Sequence, residues 1–350
     1  MAQTFARSPL ERPSPAAAGL TPSGAAPSFA DSNQDRQLLL AQAAPSGASA
    51  SPVLDAAGGA SATRVAPLRS DPTPWAAQQR AVSFRDVPGG ALFQGGPAPT
   101  DVVQGQNGAR HLGDCWMLSS LAAVANTQPQ LLTNAIRDHG DGTYTVTLHK
   151  QGKDGRVEAE EVRVTDNVPV TPDGRDAYAQ RQDPRELWVV LMQKAFASRN
   201  GGYGGLDGGV PAEALTALTG RPSRTASALR DPSGTQDALR RGTSQGFPMV
   251  AASRADLSLS ATGIVPGHGY TVLGTEGRDG QEHVVLRDPF AKYEPSGNGA
   301  RDGVFRVPLS EFSTRFQYVT WSEPEVEGPR ASGPAPSGPA PSGPAATPAR

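Results

Sequence analysis

The stretch Gly113-Asp114-Cys115-Trp116-Met117-Leu118-Ser119-Ser120-Leu121-Ala122 decides how this chain is read. Cys115 is the only cysteine in 350 residues, so it has no partner for an internal disulfide. Asp114 reads as an N-cap, and Trp116, Leu118, Leu121, Ala122 and Ala125 recur near helical spacing, so a helix opens at Cys115. The partial positive charge of a helix start stabilises an anion there, and the thiolate is the nucleophilic form of cysteine. A lone cysteine at such a place is ordinarily a small buried hydrophobe. It becomes a nucleophile only if a base and a group that orients the base come to meet it.

Composition bounds the region in which they can be sought. The chain holds 40 Gly and 33 Pro, concentrated at its ends. Residues 1–80 are rich in Ala, Ser, Pro and Gly and have too little apolar surface to offset the entropy of ordering, apart from a short possible helix over 35–41. From Ser332 onward the Ser-Gly-Pro-Ala-Pro repeat predicts an extended or disordered tail, placed over 326–350. Residues 81–325 are left as one well-buried domain. A net charge of −2 argues against nucleic acid or an anionic membrane as partner. No apolar run approaches the roughly 20 residues of a membrane span. The first residues lack a hydrophobic leader core, so a cytoplasmic location is expected, with export by a route without a cleaved leader as the alternative; a monomer is expected.

Within that domain the pattern is helical first and β-rich later. Alternating runs over 143–148 and 157–164, with Lys153-Asp154-Gly155 as a turn, predict a hairpin. A helix is predicted from Asp183 as N-cap, Pro184 in first position and Glu186 closing a capping box. It stops before Arg199-Asn200-Gly201-Gly202-Tyr203-Gly204-Gly205. Short helices follow over 211–219 and 235–241. Strands are expected over 247–252, 270–274, 283–287, 303–307 and 317–321, with a helical turn at Leu309-Ser310-Glu311-Phe312. The order predicts an α+β fold with a cleft between its halves.

Of five histidines, His268 stands apart, in Gly267-His268-Gly269-Tyr270 at the entry to a strand. His139 and His149 belong to the first hairpin and have no evident acidic partner. His283 lies inside an apolar strand, and His111 reads as a surface residue four positions before Cys115. If the loop Glu276-Gly277-Arg278-Asp279-Gly280 centres on Arg278, residue 268 falls opposite Asp288. Cross-strand Cβ atoms lie roughly 4.5–5.5 Å apart, near enough for a carboxylate to accept from an imidazole.

These motifs resemble the calpain-type cysteine proteases. Gly113-Asp114-Cys115-Trp116 looks like the family's nucleophile motif, and Gly267-His268-Gly269-Tyr270 is similar to its Gly-His-Ala-Tyr. Arg287-Asp288-Pro289-Phe290 resembles its Arg-Asn-Pro-Trp, and Glu186-Leu187-Trp188 with the following glycine-rich segment resembles its central helix. The resemblance covers roughly residues 85–322. It implies a papain-like fold in two subdomains and endopeptidase activity on a protein or peptide substrate. In it Cys115 would be the nucleophile, His268 the base and acid, and Asp288 the orienting group where the family has asparagine. Gln104, in Gln104-Gly105, would be the side-chain donor of the oxyanion hole. Five additional residues separate it from Leu112-Gly113-Asp114-Cys115, and a displaced Gln104 would leave Gln106 or Arg110 near that position. Phe290 stands for the family's shielding tryptophan.

The resemblance requires no cofactor for the chemistry, but it implies calcium sites. Asp101 and Glu186 match two ligand positions of one of them. Calcium takes about 6–8 oxygens, and Glu186 is already explained here as a capping residue. Two other functions share the motifs. A transglutaminase-like acyl transferase also uses Cys, His and Asp. A catalytically inactive calpain-fold binding module would have lost its site to the insertion. The N-terminal segment is expected to be clipped by the enzyme itself.

Overall fold

The helix that opens at Cys115 is buried on every side from Cys115 to Ala125. Helical spacing alone would give a half-exposed helix, so this one lies between two packed layers. A computed structural model describes residues 72–74, 82–87, 89–105, 111–295 and 300–323. The expected tails, the helix over 35–41, Gln106 and Arg110 lie outside the described residues.

In chain order the first half comprises β1 (Ser83–Arg85), β2 (Val103–Gln104), α1 (Cys115–Thr127), α2 (Pro129–Ala135), β3 (Ile136–Asp138), β4 (Thr143–Gln151), β5 (Val157–Thr165), β6 (Val168–Val170), β7 (Ala179–Gln180), α3 (Trp188–Arg199) and α4 (Pro211–Thr219). The second half comprises β8 (Ser223–Ser227), α5 (Pro232–Gln245), β9 (Met249–Ser253), α6 (Leu259–Thr262), β10 (Gly269–Arg278), β11 (Gln281–Arg287), β12 (Val304–Pro308), α7 (Phe312–Arg315) and β13 (Phe316–Ser322). The expected hairpin is β4–β5, paired antiparallel from Thr143↔Thr165 to Gln151↔Val157. The later strands form one antiparallel sheet in the order β12-β11-β10-β9-β13-β8.

Two apolar cores follow from this arrangement. One gathers α1, α3 and α4 with the inner residues of β4 and β5, and the other fills the sheet around Tyr270, Phe305, Phe312 and Phe316. Strand β9 faces both: Val250 and Ala252 enter the first core, Met249 and Ala251 the second. A strand covered on both faces has no polar alternation, which is why 247–252 reads as a continuous apolar run. α1 packs on β9 and β10 on one side and on α4 on the other. Its buried hydroxyls are satisfied locally, Ser119 Oγ donating to Cys115 O and Ser120 Oγ to Trp116 O.

Three local expectations are corrected. α3 begins at Trp188, not Pro184. Backbone bonds from Ala91 N to Arg185 O and from Leu187 N to Ala91 O draw 185–187 into an extended pairing that overrides the capping signal. Glu186 accordingly caps nothing, and its Oε1 accepts from Gln94 N at 2.7 Å. Asp114 holds the N-cap position of α1 but makes no side-chain cap bond. Finally, the β10–β11 turn is two residues, Asp279 and Gly280, both at positive φ (52° and 74°) as a tight hairpin turn demands. Strand β8 was not foreseen: it is a polar edge strand without apolar alternation, held by β13. The packed unit also takes in the stretch before residue 81, because Tyr203 N donates to Thr73 O at 2.9 Å.

Gly209 shows how tightly the nucleophile helix is seated. A Cβ there would lie 2.2 Å from the Trp116 indole. Gly209→Ala is therefore expected to lower stability by about 1–3 kcal/mol through overpacking, read as a fall in the urea midpoint at unchanged slope.

Candidate active site

Cys115 and His268 come from different halves of the chain and meet where β10 begins against α1. The contact depends on Gly269: a Cβ there would stand 3.0 Å from Ser119 Oγ and 3.2 Å from Cys115 O. Thr271 Oγ1 reaches across to donate to Ser119 O at 3.0 Å. The start of β10 is thus fastened to the first turns of α1, and the His268 ring falls within hydrogen-bonding reach of the Cys115 sulfur.

The other face of the ring chemistry is set by Asp288. His268 Nε2 and Asp288 Oδ1 are 3.0 Å apart, with His268 4% exposed and Asp288 fully buried. Nε2 is therefore engaged by the carboxylate, which leaves Nδ1 for the sulfur. Asp288 is itself held by backbone donors, Phe290 N to Oδ1 at 3.0 Å and Tyr293 N to Oδ2 at 3.3 Å. The expected register is not the one found. Near the site the ladder pairs Thr271 with Arg287 and Val272 with Leu286, with a bulge before Gly274. In that register Asp288 lies diagonal to His268, not opposite, and diagonal neighbours on one face remain in reach. Phe290 stacks on the imidazole, with centroids 4.8 Å apart and planes at 6°.

Burial pulls the His268 imidazole down, but the Cys115 sulfur and the Asp288 carboxylate outweigh it and push its pKa up to about 10. The protonated ring is thus the favoured form beside the sulfur.

Gln104 is 2% exposed and fixed from three directions. Its backbone pairs with Ala179 in the β2–β7 ladder, its N–H donates to Pro289 O at 2.8 Å, and its Nε2 donates to Leu112 O at 2.7 Å. The bond to Pro289 ties Gln104 to the residue after Asp288, on the near side of the five-residue insertion. Beneath it, Asp114 Oδ2 accepts from Gln193 Nε2, whose own Oε1 accepts from Ala179 N. Burial drives the Asp114 carboxyl up to about 7, against the Gln193 and Gln104 donors and with help from the nearby charge of Asp207.

Two positioning residues escaped the sequence reading. Asp207 Oδ1 accepts from Gly113 N at 2.9 Å, and Gly208 N donates to Gly113 O, so the glycine-rich loop clamps the residue before Asp114. Buried Arg287 donates from Nη1 to Val102 O at 2.8 Å and joins the Asp288 strand to the approach of Gln104. Asp207 sits in a motif that could have flagged it, whereas nothing local marks Arg287 as a tie to Val102. His111 is exposed as expected, yet it packs edge-on against Phe290 with centroids 4.9 Å apart. Partial desolvation of the ring where it packs, and then the charge of His268, lower its pKa. His139 and His149 stay with the first hairpin, bonded to Thr145 and to Ala217 O.

Asp101 and Glu186 flank one loop. Asp101 Oδ2 accepts from Ala98 N and Trp188 Nε1, and Glu186 binds Gln94 N. Burial raises both carboxyls, and the Asp101 charge raises Glu186 further. Freed from capping, Glu186 suits a cation better than its sequence implied. Even so, no group of three or more His, Cys, Asp or Glu side chains that could hold a metal is found among the described residues. Two carboxylates fall short of a calcium shell of about 6–8 oxygens.

Comparison with known proteins places the chain in a family. A family described as "Calpain family cysteine protease" matches residues 70–317. The chain is 35% identical over 220 residues to "Calpain-type cysteine protease DEK1" of Arabidopsis thaliana, covering 59% of this chain and 10% of that protein. It is 34% identical over 233 residues to "Calpain-type cysteine protease ADL1" of Oryza sativa subsp. japonica, covering 63% and 10%. Against human "Calpain-9" the identity is 30% over 214 residues, covering 58% and 30%. The chain thus spans about a tenth of the plant relatives and under a third of the human one. Among the described residues no helix is long and apolar enough to cross a membrane.

Proposed function

The chain belongs to the calpain family of cysteine proteases, and we propose on that footing that it is an endopeptidase working through a Cys115 acyl-enzyme. The observation that carries this reading is the alignment of three buried groups, with His268 between the Cys115 sulfur and the Asp288 carboxylate. The thiolate attacks the substrate carbonyl, and a C–S bond forms as the carbonyl π pair moves to oxygen. Gln104 gives an amide hydrogen to Leu112 O and turns its amide toward Asp114 as well, and it is the side-chain donor proposed for the oxyanion beside the Cys115 backbone N–H. As the tetrahedral intermediate collapses, the C–N bond breaks and protonated His268 gives its proton to the leaving amine. A water then loses a proton to the neutral ring, attacks the thioester and releases the acid. Asp288 keeps the imidazole oriented and balances its charge.

A peptidyl electrophile tests the reading directly. It is expected to add one label at Cys115, at least about 10²-fold more slowly in His268→Ala. No label on the folded protein would favour an inert binding module, and incorporation of an amine into a glutamine peptide would favour the acyl transferase.

Hydrolysis in this scheme needs no cofactor, since the named groups move every proton and electron pair. Asp101 and Glu186 are where calcium would act. Chelation with EGTA is expected to leave kcat/KM within about twofold, a change too small to represent a lost catalytic interaction. A calcium requirement removed by Asp101→Asn would overturn that. The segment before the packed unit is the proposed site of self-cleavage, and identical fragment patterns from wild type and Cys115→Ala after long incubation would sink this.

A further inference from the structure

His111 stands beside the triad and takes no part in the hydrolysis steps. It precedes Leu112, whose carbonyl accepts from Gln104 Nε2 at 2.7 Å. Its ring meets Phe290 edge-on with centroids 4.9 Å apart, and Phe290 lies flat on His268 with centroids 4.8 Å apart. A single buried phenyl ring thus touches both imidazoles. The backbone N–H of Phe290 donates to Asp288 Oδ1 at 3.0 Å, so this wall is anchored to the triad. His111 by contrast is exposed, and among the described residues its ring nitrogens have no hydrogen-bond partner.

The direction of the reaction decides what passes that ring. The acyl half of the substrate stays on the Cys115 sulfur, and the amine half takes its proton from His268. The first residue of the departing half therefore lies on the His268 side of the sulfur, where Phe290 covers the imidazole face and His111 flanks Phe290. An imidazole offers that residue an N–H donor and, once protonated, a positive charge. Both suit a carboxylate. The charged groups that face His111 are His268 at the entry to β10 and Asp207 in the loop after α3. Asp207 Oδ1 accepts from Gly113 N at 2.9 Å and forms no ion pair with His111.

We propose that His111 is a specificity-determining residue: it contacts the side chain that follows the scissile bond and favours Asp or Glu there. The inference rests on the endopeptidase reading. Desolvation and the His268 charge hold His111 below its ordinary value of 6.5, so the preference belongs to mildly acidic pH. The His268 imidazolium also attracts a carboxylate, but it persists up to about 10, so its share does not change between pH 5.5 and 8. Asp114, at about 7, changes charge in that interval, and the His111 variants separate its influence from theirs.

The experiment takes a peptide that the full chain cuts and makes it in two forms, with Glu or Gln directly after the scissile bond. In wild type the Glu-to-Gln ratio of kcat/KM is expected to be about fivefold at pH 5.5, the size of a well-placed exposed charge pair, and under about twofold at pH 8. A loss common to both peptides cancels in this ratio. His111→Gln keeps a donor but cannot be charged, and in it and in His111→Ala the ratio should stay under about twofold at both pH values. A wild-type ratio near one at pH 5.5, or a pH-dependent ratio that persists in His111→Gln, would overturn the inference and leave the endopeptidase reading standing. If the chain cuts no peptide at all, that reading falls and this one with it. Should one variant not fold, the other decides.

Discussion

Cys115→Ala is expected to lower kcat/KM for an unfolded protein substrate by about 10⁴-fold or more, to the level of binding and oxyanion stabilisation alone. The side chain removed is small and 6% exposed, so folding should survive. Loss of about one methyl-sized group costs on the order of 1 kcal/mol. The loss should appear in kcat, with substrate affinity kept, because the sulfur acts only once the peptide is bound. A second readout separates chemistry from packing. In wild type the sulfur is the first of the influences that raise His268 against burial. Without it the His268 pKa should fall well below about 10, visible in the ring-proton shifts during an NMR titration. Residual hydrolysis within tenfold of wild type would mean that another group is the nucleophile.

Asp288→Ala is expected to cost about 10²–10⁴-fold in kcat, because three donors then lose their acceptor: buried His268 Nε2 and Phe290 N, and half-buried Tyr293 N. Asp288→Asn is the sharper probe. Both carboxylate oxygens face donors, so the amide nitrogen has to displace one bond, and the longer one to Tyr293 is the weaker. Oδ1 then still orients His268, and kcat at neutral pH should fall only about tenfold, the charge being lost but the geometry kept. The pH dependence follows from sign. His268 is raised in the fold relative to about 6.5 in the unfolded chain. Its protonated form therefore contributes stability in full below pH 6.5, and that contribution is lost as pH rises toward about 10. Removing the carboxylate lowers the folded pKa, so in Asp288→Asn the alkaline limb of kcat/KM and the loss of stability should both begin at lower pH. An unchanged alkaline limb would show that the Asp288 charge has no part in holding the proton.

Much of this was legible because the chemistry rests on short motifs at element boundaries. Asp288 was found through a register that proved wrong in detail: the turn is two residues and the ladder carries a bulge. The contact survives because a diagonal neighbour on one sheet face is nearly as close as an opposite one. Glu186 failed for the opposite reason. Asp183, Pro184 and Glu186 make a sound local start signal, but pairing of 185–187 with Ala91 satisfies the same backbone groups across 94 positions of chain, and local propensity yields to such tertiary pairing.

By itself the sequence determined the α+β class and the helix-first, strand-later order of the larger elements, and it singled out Cys115, His268, Asp288 and Gln104 as candidates. Composition, periodicity and motif are written locally along the chain. Tertiary structure alone decided how those residues are held. The bare backbone of Gly269 against Cys115 O, the Gln104 bond to Pro289, the Asp207 clamp on Gly113 and the Arg287 tie to Val102 all join distant segments. So does the Asp114–Gln193 pair, which seals in a carboxyl that reads locally as a helix cap. Whether a carboxyl caps a helix or is sealed in beside an amide depends on what surrounds it, and burial is a property of the folded chain.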